Sequence, residues 1–367
     1  MKPNRRAFFN RIAGLALGLN TTLLDCGTRT LIASASPPQG FEAEFPSMGS
    51  KINLRWYCDH ADHADQDRIV EAARTIADHW TSVLSDYDPT SQVMVACLKG
   101  DEGNWVPLSN DLWNVVQRCE QWHRWSNGAF DAALGAITRL RRRRMLATPV
   151  QWEEARRASG WGLVEFDVPN QAIRFQTPSV RFDFGAIGKG FVVDRIAEKL
   201  LEMEIERFVV NASGNMRIGQ SPPQIEGWPI AIDVPATGAN EATTELLRTR
   251  IRPCGIATSG DRWQRFPDGV GVAKNQYSSH IVDPSTHTGV SGHQSVTVIA
   301  DDAADADAAA TATCVRARRD LAGWLETLSE QKPKLQAMVL LKDEATANVR
   351  MISTGVDTLG QNMRLGR

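Results

Sequence analysis

Asp307 and Thr311 stand four residues apart in DADAAAT, residues 305–311. At that spacing two side chains share one face of a helix. A carboxylate and a hydroxyl are hard oxygen donors. They suit Mg2+, which takes few protein oxygens and completes its shell with phosphate and water. For this helix taken in isolation, a solvated face is the default reading. A second candidate is the loop GAIGKG, residues 185–190. A glycine-rich loop that opens a helix aims backbone N–H groups outward, and these bind phosphate. Lys189 adds a point charge there. The loop is not a P-loop, because Asp183 stands where that pattern needs glycine and Gly190 where it needs Ser or Thr. A tight structural turn is the competing reading. IATSGD, residues 256–261, places the hydroxyls of Thr258 and Ser259 on an expected turn after a strand. In SSHIVDPSTHTG, His280 opens an expected strand three residues before Asp283. A carboxylate at that distance can orient or charge an imidazole for general-base work, with a structural histidine as the competing reading, as an ordinary turn is for Thr258 and Ser259.

These residues need a scaffold, and the apolar pattern supplies one. Ile69, Ala73, Ile76, Trp80 and Val83 fall on one helical face between Asp67 and Ser85. SNDLWNVVQRCEQWHRWSNG reads as a second amphipathic helix, capped at Ser109 or Asn110 and ended by Gly128. VQWEEARRAS reads as a third. A strand ending at Asp183-Phe184 feeds the glycine loop, and a helix starts near Gly188. LVEFD, AIRFQ, VRFDF, WPIAIDV, IRPCGIATSG, SSHIVDP, SVTVIA, AMVLL and VRMIS read as strands. ERFVVNASGNMRIG reads as strand, turn, strand. Strand runs with helices between them predict an α+β fold with mixed or antiparallel sheets and packed helices. No linker divides the body, so residues 45–367 read as one domain.

The N-terminal residues 1–35 read as an export signal. Arg5-Arg6 precede a modest apolar run, and Ala33-Ser34-Ala35 offers a small-residue cleavage site. The paired arginines favour the twin-arginine type over an ordinary Sec signal. The run is too short and polar to span a bilayer comfortably. The expected location is therefore periplasmic, with only indirect membrane contact. Residues 36–44 read as a linker. The whole chain carries −2, and this signal alone carries +4, so the remainder is near −6. An acidic body argues against nucleic acid as a partner. Six scattered cysteines form no C-x-x-C pair and read as free thiols once Cys26 is removed with the signal. Arg139 and Arg141–Arg144 read as a solvated basic run, with docking to an anionic partner as the alternative. His60 and His63 read as part of an exposed loop.

The order of the motifs adds a further argument. SMGS, LSDYDPTSQ, GAFDAALG, DFGAIGKGFVVD, VNASGN, ATSGD, HIVDPSTHTG and SVTVIADDAADADAAAT follow one another along the chain. That ordered set resembles the FAD:protein FMN transferase (ApbE) family from about Phe45 to Cys314. The resemblance implies Mg2+-dependent transfer of FMN from FAD to a threonine of a target protein, with AMP released. A respiratory or electron-transfer subunit is a candidate target. It implies that Met48 and Tyr87 lie against the flavin, and that Ala129, Phe130 and Asp131 help hold the nucleotide. Asp183 and Lys189 would flank the phosphate loop. The Ala186 carbonyl, Asp307 and Thr311 would hold Mg2+. Thr258, Ser259 and Gly260 would line the FAD pocket, and His280 would be the base. The alanines around Asp307 would keep the helix slim, so that pyrophosphate and metal can approach. The chain departs from the family pattern at Ser50, at Gln92, at Cys97, and at Ser213-Gly214-Asn215, where a carboxylate is lost. The same site with water as acceptor would be an FAD pyrophosphatase, and without chemistry an exported flavin-binding or delivery protein.

Overall fold

The computed structural model describes residues 39–58, 63–142, 147–234, 245–260, 265–267, 277–290, 294–317, 319–342, 349–354 and 364–366. Residues 1–35, read above as an export signal and containing Cys26, lie outside them, as do His60, Arg143 and Arg144. Residues from Pro37 onward form one compact unit.

One eight-stranded sheet organises the molecule. Its strands are β1 (Gln39–Ser47), β2 (Ser50–Cys58), β3 (Arg207–Ala212), β4 (Asn215–Ile218), β5 (Cys254–Gly260), β6 (Gln294–Ala300), β7 (Gln336–Lys342) and β8 (Val349–Ser353). They lie side by side in sequence order, and every pairing is antiparallel. The sheet is thus a meander, and the long insertions between its strands carry the rest of the protein. β1 already includes residues 39–44, so most of the expected linker is sheet.

Period-two alternation gives the sheet two apolar faces. Val210, Ala257, Val296, Val298, Ala337 and Val339 face the helices. Val209, Ile256, Met338 and Leu340 point the other way. That second face is covered by Trp228–Val234 and Glu245–Ile251, two strands of a small antiparallel sheet.

The described residues contain eight α-helices: α1 (His63–Leu84), α2 (Gln92–Gly100), α3 (Asn110–Trp125), α4 (Gly135–Arg142), α5 (Pro149–Arg157), α6 (Gly188–Glu202), α7 (Ala303–Arg316) and α8 (Leu321–Gln331). Ser109 caps α3 by accepting from Leu112 N–H at 3.2 Å. Thr148 caps α5 with a reciprocal bond from Gln151. α2 and α4 were not expected from the pattern. Residues 180–184, expected as a strand, lie in no strand or helix. Asp183 N–H instead donates to Ala132 O at 2.8 Å, tying the glycine loop to the segment 129–135.

α7 is the central helix. It packs on β5, β6 and α6. Its alanines 303, 304, 306, 308, 309, 310 and 312 are all buried. The solvated-face reading therefore does not hold. Nor do the alanines serve to open a path for a ligand: they let the helix pack against sheet and helix. A Cβ on Gly190 would overlap Ala303 O, so α6 and α7 touch backbone to backbone.

Candidate functional site

The site gathers where α6 begins beside α7. The turn before α6 is shaped by Asp183, whose Oδ1 accepts from Gly185 N–H at 2.8 Å. Lys189 Nζ donates back to Gly185 O at 3.2 Å. Gly190 N–H points across to α7 and donates to Asp307 Oδ2 at 3.2 Å. Asp307 is 3% exposed. Burial pushes its pKa up, against the opposing pull of Lys189 and the Gly190 N–H. One turn further, Thr311 Oγ1 lies 3.5 Å from Ser259 Oγ. Asp183 and Gly185 of the loop, Lys189 and Gly190 of the first turn of α6, Asp307 and Thr311 of α7, and Ser259 of β5 therefore make up the site.

The pair Thr258–Ser259 divides. Both lie inside β5 rather than on a turn after it. Neighbours on a strand point to opposite faces. Ser259 faces α7, whereas Thr258 Oγ1 meets Thr297 Oγ1 of β6 at 2.9 Å. Gly260 ends the strand where a Cβ would come within 2.7 Å of Gln294 O. Met48 joins from the β1–β2 turn: its terminal methyl lies 3.8 Å from where a side chain on Gly188 would start. Beside it, the departing serines Ser50 and Ser213 touch through their hydroxyls.

Tyr87 is 75% exposed, and the Arg142 guanidinium lies 4.7 Å over its ring. Arg142 also pairs with Asp86 and, at 3.2 Å, with Asp183. One side chain thus joins the tyrosine loop to the glycine loop. Burial, with the nearby Asp183 charge, holds the Asp86 carboxyl above its usual range. The reading of Arg141 and Arg142 as a solvated run is overturned. Arg141 is 3% exposed, and its Nη2 donates to Ser278 Oγ at 2.7 Å and Ser279 O at 2.9 Å. These arginines end a short helix whose burial the run of like charges concealed.

The segment 129–131 sits deeper. Ala129 and Phe130 are buried core residues. Asp131 accepts from Ala133 N–H at 2.7 Å and Trp161 N–H at 2.8 Å, so its carboxylate braces two backbone turns. His280 follows the strand Tyr277–Ser279 rather than opening one, and is half-buried. Asp283 accepts from Ser285 N–H and Oγ, each at 2.9 Å, and pairs with Arg319.

Asp194 went unnoticed in the sequence. It lies on α6, yet it accepts from Ala303 N–H and Ala304 N–H, both at 2.9 Å. It therefore caps α7 from a neighbouring helix, satisfying donors that a helix start leaves open. Burial, then the Asp302 charge, pushes its pKa up to about 7. The signal that could have found it is its place as the last residue of DFGAIGKGFVVD, one helical turn after Gly190.

An α+β scaffold here sets a glycine loop against a buried acid and two hydroxyls. The chain belongs to the ApbE family, whose model matches residues 48–339. An FAD:protein FMN transferase of Chlamydia trachomatis is 27% identical over 258 residues, covering 68% of this chain and 76% of the relative. That of Haemophilus influenzae is 23% identical over 306 residues, covering 81% and 84%. Among solved structures, the flavin transferase ApbE of Vibrio cholerae superposes with a TM-score of 0.73 at 20% identity, covering 87% of this chain and 98% of the other. The ApbE protein of Thermotoga maritima gives 0.69 at 25% identity, covering 85% and 96%. The α+β expectation holds, and the large sheet is wholly antiparallel.

Proposed function

We propose that this protein transfers the FMN moiety of FAD to a threonine hydroxyl of an exported target protein. Family membership and the curated relatives named FAD:protein FMN transferase support the reaction class. The observation that carries the reading is the convergence of Gly190 N–H, Asp307 and Thr311 beside Lys189.

The donor set fits Mg2+. Asp307 offers a buried carboxylate whose anionic form burial disfavours, and a dication would offset that cost. Thr311 Oγ1 adds a second hard oxygen on the same helix face, and the Ala186 carbonyl is the third candidate. When bound, the ion supplies Lewis-acid stabilisation of phosphate charge. The chain does the rest. Lys189 would hold the pyrophosphate where charge develops, because the Gly185, Ile187, Gly188 and Gly190 N–H groups are already engaged by Asp183, the Phe184 carbonyl and Asp307. His280 takes the proton from the acceptor threonine. The threonine oxygen then bonds to the FMN phosphorus, and the bond from that phosphorus to the AMP oxygen breaks. Met48 and Tyr87 border the flavin, Ser259 and Gly260 the nucleotide.

Export follows from Arg5-Arg6 and the apolar run after them, which support a periplasmic location. The target is then an exported flavoprotein, with a respiratory or electron-transfer subunit as the candidate. The test uses the chain from Ser36, FAD, Mg2+ and an acceptor protein with a flavinylation-type threonine. Intact mass should show one added FMN, with AMP released and the gain abolished by EDTA. Free FMN and AMP without acceptor labelling would instead identify a pyrophosphatase. Intact FAD with two different acceptors would identify a binding protein.

A further inference from the structure

His280 sits on a turn that is fixed on both sides. Ser279 N–H donates to Val290 O at 3.2 Å, and Val290 N–H returns to Ile281 O at 2.9 Å. Ile281 N–H donates to Ser279 Oγ at 3.1 Å, closing the turn across His280. One oxygen of this turn bears directly on His280: the Ser279 carbonyl, which belongs to the peptide unit entering it. A peptide unit is planar, so holding its oxygen holds the His280 amide. Arg141 holds that oxygen from α4, and holds Ser278 Oγ with the same nitrogen.

Burying a guanidinium is costly unless its donors are used. A methionine would fill much of the same space without that cost. The charge therefore makes sense through the oxygens it engages, both on the strand that delivers His280. Gly289 completes the arrangement. An ideal Cβ there would lie 2.5 Å from Arg141 Nη2 and would overlap Ser278 Oγ and Ser279 O. The glycine leaves the room that the guanidinium and the strand occupy.

We infer that Arg141 is a positioning residue for His280, fixing the peptide through which the imidazole is presented to the acceptor hydroxyl. This rests on the reading of His280 as the base. A displaced base loses rate while substrate binding elsewhere persists, since small displacements from productive geometry cost large factors.

The experiment compares Arg141→Met, Arg141→Lys and His280→Ala in the chain from Ser36, each checked by thermal melting. Steady-state FMN transfer is measured at varied FAD concentration. Arg141→Met should lower kcat about tenfold or more while KM for FAD stays within about twofold. Arg141→Lys, which keeps a charged donor, should recover part of that kcat. Wild-type kcat in Arg141→Met, or a raised KM with kcat unchanged, would overturn the inference. If Arg141→Met fails to fold, Arg141→Lys decides alone: a modest fall in kcat at unchanged KM supports it, and unaltered kinetics overturn it. His280→Ala separates the two levels. Full transfer by His280→Ala would remove the base assignment and this inference with it. An inactive His280→Ala beside an unaffected Arg141→Met would remove this inference alone.

Discussion

Gly190 and Asp307 are 117 positions apart, yet the N–H of one donates to the carboxylate of the other at 3.2 Å. The bond exists because α6 and α7 meet backbone to backbone at Gly190 and Ala303. Gly190→Ala should therefore force the helices apart. Overpacking of this kind costs about 1–3 kcal/mol. The expected result is a lower Tm together with slower FMN transfer. An unchanged Tm would show that the crossing relaxes freely.

Asp307→Asn separates charge from shape. The amide keeps an oxygen for Gly190 N–H but loses the anion. Transfer should fall by roughly 100-fold or more, as expected for losing a Lewis-acid contribution of several kcal/mol. Stability without metal should be retained or raised, because burial disfavours the Asp307 anion. Melting curves with and without Mg2+ test this. Wild type should gain Tm with the ion, and the variant should not. An equal gain in both would place the metal elsewhere.

The candidate site was legible where spacing alone carries geometry. The i, i+4 pair Asp307–Thr311 shares a helix face, and the glycine loop does open a helix at Gly188. What the sequence hid depends on tertiary contact. Nothing local distinguishes Arg141 and Arg142 from a solvated run, since their partners lie 41 to 138 positions away. Asp194 caps a helix 109 positions downstream, so no local capping pattern could reveal it. The alanines of α7 were ambiguous for a related reason. Small residues suit both a ligand approach and a tight helix contact, and burial decides for the second. The strands of the meander were largely readable from alternation. Residues 180–184 alternate too, but their backbone bonds to the segment 129–135 instead of a sheet.

Asp194 predicts a pH dependence of stability. Its folded pKa, about 7, lies above the ordinary 3.8. The folded protein then binds more protons than the unfolded chain between these values. The stabilisation is full below the ordinary value and is lost as pH rises through about 7. Asp194→Asn removes this titration while keeping one acceptor for the start of α7. Denaturation series across that window should show a weaker decline with pH in the variant than in wild type. Parallel declines would assign the proton to another group.

Arg142 supplies the last prediction. It stacks on Tyr87, and it holds Asp86 and Asp183 together although both are acids. Removing the guanidinium leaves two partly buried carboxylates facing each other and frees the tyrosine loop. The burial-raised pKa of Asp86 should rise further, because Arg142 opposes that shift. Arg142→Met should therefore weaken FAD binding more than it slows the chemical step. The exposed aromatic border loosens, while Asp307, Thr311 and His280 keep their own supports. We expect KM for FAD to rise about tenfold with kcat changed less than about threefold, a split typical of lost uniform binding. The rise should shrink toward lower pH, where protonation of Asp86 relieves the repulsion. Kinetics at two pH values check both parts. A fall in kcat at constant KM would instead place Arg142 with the phosphate loop through Asp183.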